Sequence, residues 1–461
     1  MDKSNTNVRL SRRKLLGGIG AVGVASAGAG LGTTAYFSDD ASFENNEIDA
    51  GRLELTVSYA FAADQDIRDD FNPYAGENGG GGAFGSISST PDTPGSASYQ
   101  LDDVKPGDSG RLGFSFFLDD NPGYVWACGR LTENAQNGVT DPERTALLDA
   151  GLTNTEIDAS ETDPWGGQLA DAIEAELVYQ QGLFNGTGNS QSAPIVSGSL
   201  RDVLAALTNG IPLDENRNPE AGLDRSCFPA GSTTTTLALL WSIPAGEVGN
   251  EIQTDSIGFD LTFHVEQCRH NDGETTPCVE ASVGEGYGAD RLARDPVWFA
   301  RARNGSGPVG DQLLVGNAPA NTGDYDSAGI SWTDPTTAEL TVAHDATAGG
   351  LTIAVENGVS GAITYSGALA NPSVQGGTNA ILITAKSSND TEASVSDVRL
   401  NGAAMSGADA ATASDGSPTF AHLLIEGLDA TADWTLTGEL TLVGAGSGGP
   451  QERPAVDINI A

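Results

Sequence analysis

Apolar side chains recur at every second position in three separate runs: Leu53, Leu55, Val57 and Tyr59; Leu112, Phe114 and Phe116; and Ile257, Phe259, Leu261, Phe263 and Val265. A strand turns alternate residues to opposite faces, so each run describes a strand with one buried and one wet face. The 60 glycines, abundant Thr, Val and Ser, and the shortage of long helical periodicities push the same way. The expected fold class is all-β: an N-terminal jelly roll or β-sandwich with short helical insertions, followed by a second β-sandwich.

Helical spacing of apolar residues at Pro142 to Leu152, Gly167 to Leu177 and Ser199 to Leu207 predicts short helices laid over the first sandwich. Thr236 to Ile243 and Ser256 to Val265 read as the arms of a hairpin whose turn lies around Gly246 to Gly249. In the second half, Ala338 to Val342 and Leu351 to Val355 form another hairpin signal, split by a loop ending in Gly349-Gly350. Further strands are expected at Ala380 to Ala385, Ser394 to Leu400, Phe420 to Ile425 and Trp434 to Val443. The pattern lapses into Gly, Glu and Thr after Cys268. The expected organisation is therefore an export signal over 1–35, a first domain over 36–278, a linker over 279–310 and a second domain over 311–461. No short fixed repeat is visible, which argues against a solenoid.

At the N-terminus, Ser11-Arg12-Arg13-Lys14 precedes a Gly- and Ala-rich apolar run from Leu15 to Leu31. An Arg12-Arg13 pair before such a run is a twin-arginine export signal, which handles chains already folded. The run just reaches membrane-spanning length, but its glycine content and the polar Ser38-Asp39-Asp40 beyond it favour cleavage, placed between Ala35 and Tyr36. The membrane is then met only during export, and the mature chain is expected outside the cell, at its surface or in the surrounding matrix.

Sixty-three acidic residues against 22 basic ones give a net charge of −41. Such a surface repels nucleic acid and anionic lipid. With 38% apolar residues in periodic strands, the charge does not signify disorder. It is the composition of a chain adapted to high salt, where self-repulsion is screened within about 3 Å at molar ionic strength, and a salt-loving archaeal source is expected. Four cysteines in an exported chain point to disulfides. Extending the arms of the 236–265 hairpin brings Cys227 near Cys268, leaving Cys128 and Cys278 as a second pair or as free thiols.

The run Thr33-Thr34-Ala35-Tyr36-Phe37-Ser38-Asp39, the stretch Asn45-Asn46 into Ala50-Gly51-Arg52-Leu53-Glu54-Leu55, and Leu101-Asp102-Asp103-Val104-Lys105-Pro106-Gly107-Asp108 before the aromatic strand Gly113 to Phe117 carry a resemblance. In this order they resemble the TasA/camelysin family of secreted fibre-forming proteins. Asn121 to Trp126 and Gln267 to Asn271 resemble its haloarchaeal members, so the likeness covers roughly residues 36–272. The resemblance implies a jelly-roll domain, a dedicated signal peptidase and assembly of the chain with itself into extracellular fibres of the biofilm matrix. An aromatic strand freed by cleavage, placed at Tyr36 to Phe43 with Tyr36, Phe37 and Phe43 as its anchors, would add to the next subunit. The alternative is a first strand that pairs within its own sandwich. Asn321 to Tyr325, Trp332, Val398 to Gly402 and Ala432 to Thr441 resemble the choice-of-anchor sandwich domains of exported proteins. That likeness leaves an alternative role open: a monomeric surface module gripping a polysaccharide or an envelope protein.

Catalytic chemistry is not expected. The name camelysin carries a claim of metalloprotease activity, but His264, His270, His344 and His422 include no His-Glu-x-x-His pair. There is no Gly-x-Ser-x-Gly elbow, and the glycine runs lack a phosphate-holding Lys-Ser/Thr. No catalytic residue and no cofactor is therefore expected, and a metallo-endopeptidase ranks last. Asp64, Asp66, Asp69 and Asp70, with Asp119 and Asp120, are candidate calcium ligands, weighed against plain solvated surface. Asn185, Asn304 and Asn389 head glycosylation sequons expected in loops.

Overall fold

The structure, a computed structural model, describes residues 53–64, 83–89, 99–101, 103–181, 193–285, 292, 294–304, 312–318, 323–357, 359–372, 378–387, 391–414, 420–444 and 454–461. The chain is all-β, and residues 51–461 form a single compact unit. The export signal, Arg12, Arg13, Ala35 and the segment Tyr36 to Phe43 lie outside the described residues, as do Asn185 and Asn389.

The first half holds β1 (Leu55–Asp64), β2 (Ala83–Ser89), β3 (Ser109–Leu118), β4 (Gly123–Ala135), α1 (Asp141–Asp149), α2 (Asn154–Ser160), α3 (Leu169–Ala172), β5 (Glu174–Gln181), β6 (Val196–Ser199), α4 (Leu200–Asn209), β7 (Ile211–Leu213), β8 (Gly231–Ser242) and β9 (Ser256–Gln267). Six strands run in the order β2-β1-β3-β8-β5-β6, and three form a second sheet, β7-β4-β9. The alternating residues face inward as their period demands. Phe61, Phe114 and Phe116 are buried between the sheets with Val125, Leu177 and Leu239. Each fully buried side chain of this size stabilises the fold by roughly 1.5–3 kcal/mol relative to exposure.

Three helices begin at reciprocal caps written in the sequence. Thr140 and Glu143 close the box on α1, Thr153 and Glu156 on α2, and Ser199 and Asp202 on α4. The helix expected over Gly167 to Leu177 is only the four-residue α3, after which the chain enters β5. Residues 174–181 pair with both β6 and β8, and that ladder overrides the local helical spacing. The hairpin expected from Thr236 to Val265 does not form either. β8 is taken on both sides by β3 and β5, while β9 crosses to the other sheet and pairs with β4.

The second half contributes one 14-stranded sheet that curls into a nearly closed barrel. Its strands are β10 (Thr275–Glu285), β11 (Trp298–Arg303), β12 (Gln312–Asn317), β13 (Tyr325–Gly329), β14 (Thr336–Asp345), β15 (Gly350–Glu356), β16 (Gly361–Thr364), β17 (Asn379–Lys386), β18 (Glu392–Leu400), β19 (Ala403–Gly407), β20 (Ala411–Ser414), β21 (Phe420–Leu428), β22 (Trp434–Val443) and β23 (Ala455–Ile460). The expected hairpin is β14 with β15. Asn401 and Gly402, both at positive φ, make the tight turn between β18 and β19, a geometry that favours this pair of residues. The segment expected as a linker, 279–310, instead carries much of β10 and all of β11. β10 pairs with β19 and β21, and β11 with β12 and β23.

Contacts bind the two halves together. A disulfide joins Cys128 of β4 to Cys278 of β10, with Cα atoms 5.6 Å apart. At the end of α4 the buried Asn209 donates to the Asp429 carbonyl at 3.4 Å and accepts from the Asp429 N–H at 3.0 Å. Arg399 also reaches Glu274 at 2.9 Å. In the C-terminal strand, Asp457 is held by Arg301 at 2.5 and 2.7 Å and by Lys386. These two cations hold its carboxyl below the usual range despite burial.

Candidate assembly edge

Edge strands are where a sheet can accept another chain, so their length and protection decide what the fold can join. The large sheet manages its two edges. β13 and β16 are five and four residues long. The turn after β16 is tied to the start of β13: Tyr365 donates to Asp324, and the Ser366 N–H donates to Asp326 at 2.6 Å. In the first half the edges β6 and β7 are likewise short, at four and three residues, and the edge β2 has seven.

β9 differs. It is 12 residues long and, among the described residues, pairs with β4 alone. Its sequence alternates as the period requires: Asp260, Thr262 and His264 face solvent, and Ile257, Phe259, Leu261, Phe263 and Val265 pack on the core. That inner row is only partly buried. On β4, which has a neighbour on each side, the matching residues Val125 and Ala127 are 0% and 1% exposed. A missing neighbour on one side of β9 accounts for the difference. Behind the row, Phe263 lies 4.9 Å from Phe114 and 5.1 Å from Phe116, and Phe61 continues the aromatic cluster through Phe114 and Tyr99. Burial pushes the Tyr99 hydroxyl up to about 12, while the Trp241 indole N–H donates to it at 3.3 Å. Among the described residues the edge thus offers an unpaired backbone ladder backed by partly covered apolar side chains.

The other end of β9 is pinned. Cys227 and Cys268 form a disulfide with Cα atoms 6.4 Å apart. The expected pairing is present, although the hairpin that suggested it is not. The start of β4 is the common partner: Phe228 bridges to Gly123, and the Cys268 N–H donates to the Pro122 carbonyl at 3.2 Å. Cys128 and Cys278 are the second pair, so all four cysteines are oxidised. Two disulfides fit an oxidising environment outside the cytosol. No helix among the described residues is long and apolar enough to cross a membrane.

The remaining candidates are scattered. Asn304 is 4% exposed, and its N–H bonds the Pro454 carbonyl, so the folded chain leaves no room for a glycan there. Asn304 lies in the loop after β11, as expected, but is buried there. Of the carboxylates considered for calcium, Asp64, Asp119 and Asp120 are described and Asp66, Asp69 and Asp70 are not. Among the described residues no group of three or more His, Cys, Asp or Glu converges to hold a metal ion. The histidines lie apart, with His264 on β9 and His270 in the loop beyond it. His344 is stacked between Trp298 and Trp434, at ring distances of 4.7 and 6.3 Å. His422 is buried beside Thr384. A polar groove of 870 Å³ opens over His344, Asp345, Asn401 and Asp433. Its aromatic rings are core residues, with Trp434 2% exposed, and present no stacking face to a sugar.

No protein-family model matches this chain, and comparison with curated proteins finds no match.

Proposed function

We propose that this chain is an exported structural protein of the cell surface or biofilm matrix, which assembles into filaments as residues 36–43 of one copy add to the open edge of β9 in the next. The observation that carries the reading is a 12-residue edge strand whose inward row is only partly buried, the longest edge strand among the described residues, where β2 has seven residues and β13, β16, β6 and β7 have three to five. An added strand satisfies the free ladder and covers Phe259, Leu261 and Phe263, the two contributions that drive strand addition. Eight residues in a strand span about 26 Å, which fits within the roughly 40 Å of β9. Residues 44–54 supply a tether of at most about 40 Å between that strand and β1. A contact between two different surfaces does not close on itself, and so propagates as a filament.

The N-terminal motifs that resemble the TasA/camelysin family support the same reading, as do the two disulfides. The acidic surface keeps such filaments apart from anionic lipid and nucleic acid. The test is sedimentation of the mature chain at molar salt, alone and as two variants: deletion of residues 36–43, and Leu261→Lys, which sets a charge in the inward row of the edge. Both variants are expected to stay monomeric while folding normally. Sedimentation of either as a polymer like the wild type would overturn the proposal.

A further inference from the structure

At the end of β4 a buried cluster is made of oxygen acceptors. Gln136 is 0% exposed, and its amide nitrogen donates to Glu143 of α1. The other Glu143 oxygen accepts from the Thr140 N–H at 2.9 Å. Asp255, just before β9, accepts from the Gln168 and Leu169 N–H groups at 2.6 and 2.9 Å, both through the same oxygen, Oδ2. The Gln168 side-chain nitrogen is held by the Gly166 carbonyl at 2.7 Å.

Three buried oxygens then remain without a donor: Gln136 Oε1, Gln168 Oε1 and Asp255 Oδ1. Reversing either amide does not help, because its oxygen would then face the Glu143 carboxylate or the Gly166 carbonyl. Orphaned buried acceptors beside the buried Glu143 and the half-buried Asp255 are costly unless something positive joins them.

We propose that Gln136, Glu143, Gln168 and Asp255 bind one calcium ion through their side-chain oxygens. Two carboxylates match the charge of a divalent ion, and neutral carboxamide oxygens complete a hard, all-oxygen set of the kind calcium accepts in irregular geometry. Magnesium demands a tighter octahedron and gives up its waters reluctantly, so it is disfavoured here. The ion links the end of β4, α1 and α3 to the residue that leads into β9, and so fixes one end of the open edge.

The test uses the mature chain in molar KCl, stripped with a chelator, dialysed and then supplied with calcium chloride or magnesium chloride. Metal content by atomic emission and the thermal midpoint are read together. One equivalent of calcium retained against molar potassium, with an upward shift of the midpoint that magnesium does not reproduce, is the expected result. Asp255→Asn and Glu143→Gln keep the shape and hydrogen-bonding reach of each group but remove a charge, and each should weaken binding about 100-fold or more. Gln168→Met, which leaves the backbone bond to Asp255 in place, serves if either of those fails to fold, and it should also abolish the shift. Failure of the stripped chain to take up one equivalent, which leaves water as the only occupant, overturns the proposal. So does an equal response to magnesium, or a calcium response unchanged in the variants.

Discussion

Replacing Asp457 by Asn is the perturbation whose consequence can be worked furthest from the structure. Its carboxylate is 5% exposed and meets Arg301 at 2.5 and 2.7 Å and Lys386 at shorter range. At contact distance and an effective dielectric of about 20, each pair attracts by on the order of 5 kcal/mol. Desolvation cancels much of that gain, so the measurable quantity is the cost of leaving two poorly solvated cations without their acid, about 3–5 kcal/mol. Because Asp457 lies on β23 between β11 and β17, the loss falls on an interior strand of the large sheet. Urea unfolding in molar KCl reads it directly, since salt screens exposed pairs far more than buried ones. The pH dependence carries a sign as well. The folded carboxyl is held below its unfolded value of about 3.9, so its stabilisation is full above that pH. It is lost as the pH falls through the folded value. A loss in Asp457→Asn smaller than about 1 kcal/mol, or one that disappears as salt is raised, would refute the reasoning.

Two further outcomes are expected. The Cys128–Cys278 bridge closes a separation of 150 residues and Cys227–Cys268 one of 41, so removing the first by paired serine substitution should cost about 1 kcal/mol more than removing the second in the chain-entropy account. Urea unfolding of the two variants decides it, and the reverse order would contradict that account. Asn209→Ala strips both partners from the buried Asp429 peptide and should destabilise the chain by about 2–4 kcal/mol; a change within 0.5 kcal/mol, of the size expected at an open surface, would show that the two halves are not joined there.

How much of this is legible in the sequence depends on whether the signal is local. The alternation at Leu112, Phe114 and Phe116 marks β3 directly, and the Thr-x-x-Glu spacings at Thr140 and Thr153 mark the helix starts, because each is set by neighbours a few positions away. The turn between β8 and β9 looks the same whether its arms pair or part. Only the occupation of both sides of β8 by β3 and β5 sends β9 elsewhere, and that is a long-range fact. The apolar spacing of Leu169, Ala170, Ile173 and Leu177 is helical, yet only Leu169 and Ala170 fall in α3, and Leu177 is held in the β5 ladder.

The site divides in the same way. The inward row of β9 is visible as a period of two, but nothing local says that its outer side lacks a partner. The four oxygen ligands sit at positions 136, 143, 168 and 255 with no motif spacing, and only the fold brings them together. The triplet at Asn304 marks a loop, but that the loop is buried, with its N–H on the Pro454 carbonyl, is again a long-range fact.

The most direct measurement is cryo-electron microscopy of the mature chain assembled at molar salt, resolved well enough to trace strands beside β9. The expected density is an additional strand along the side of Ser256–Gln267 away from β4, contributed by a neighbouring copy and carrying the side chains of Tyr36, Phe37 and Phe43 against Phe259, Leu261 and Phe263. Filaments in which that side of β9 is bare, or in which residues 36–43 pair within their own subunit, would contradict it.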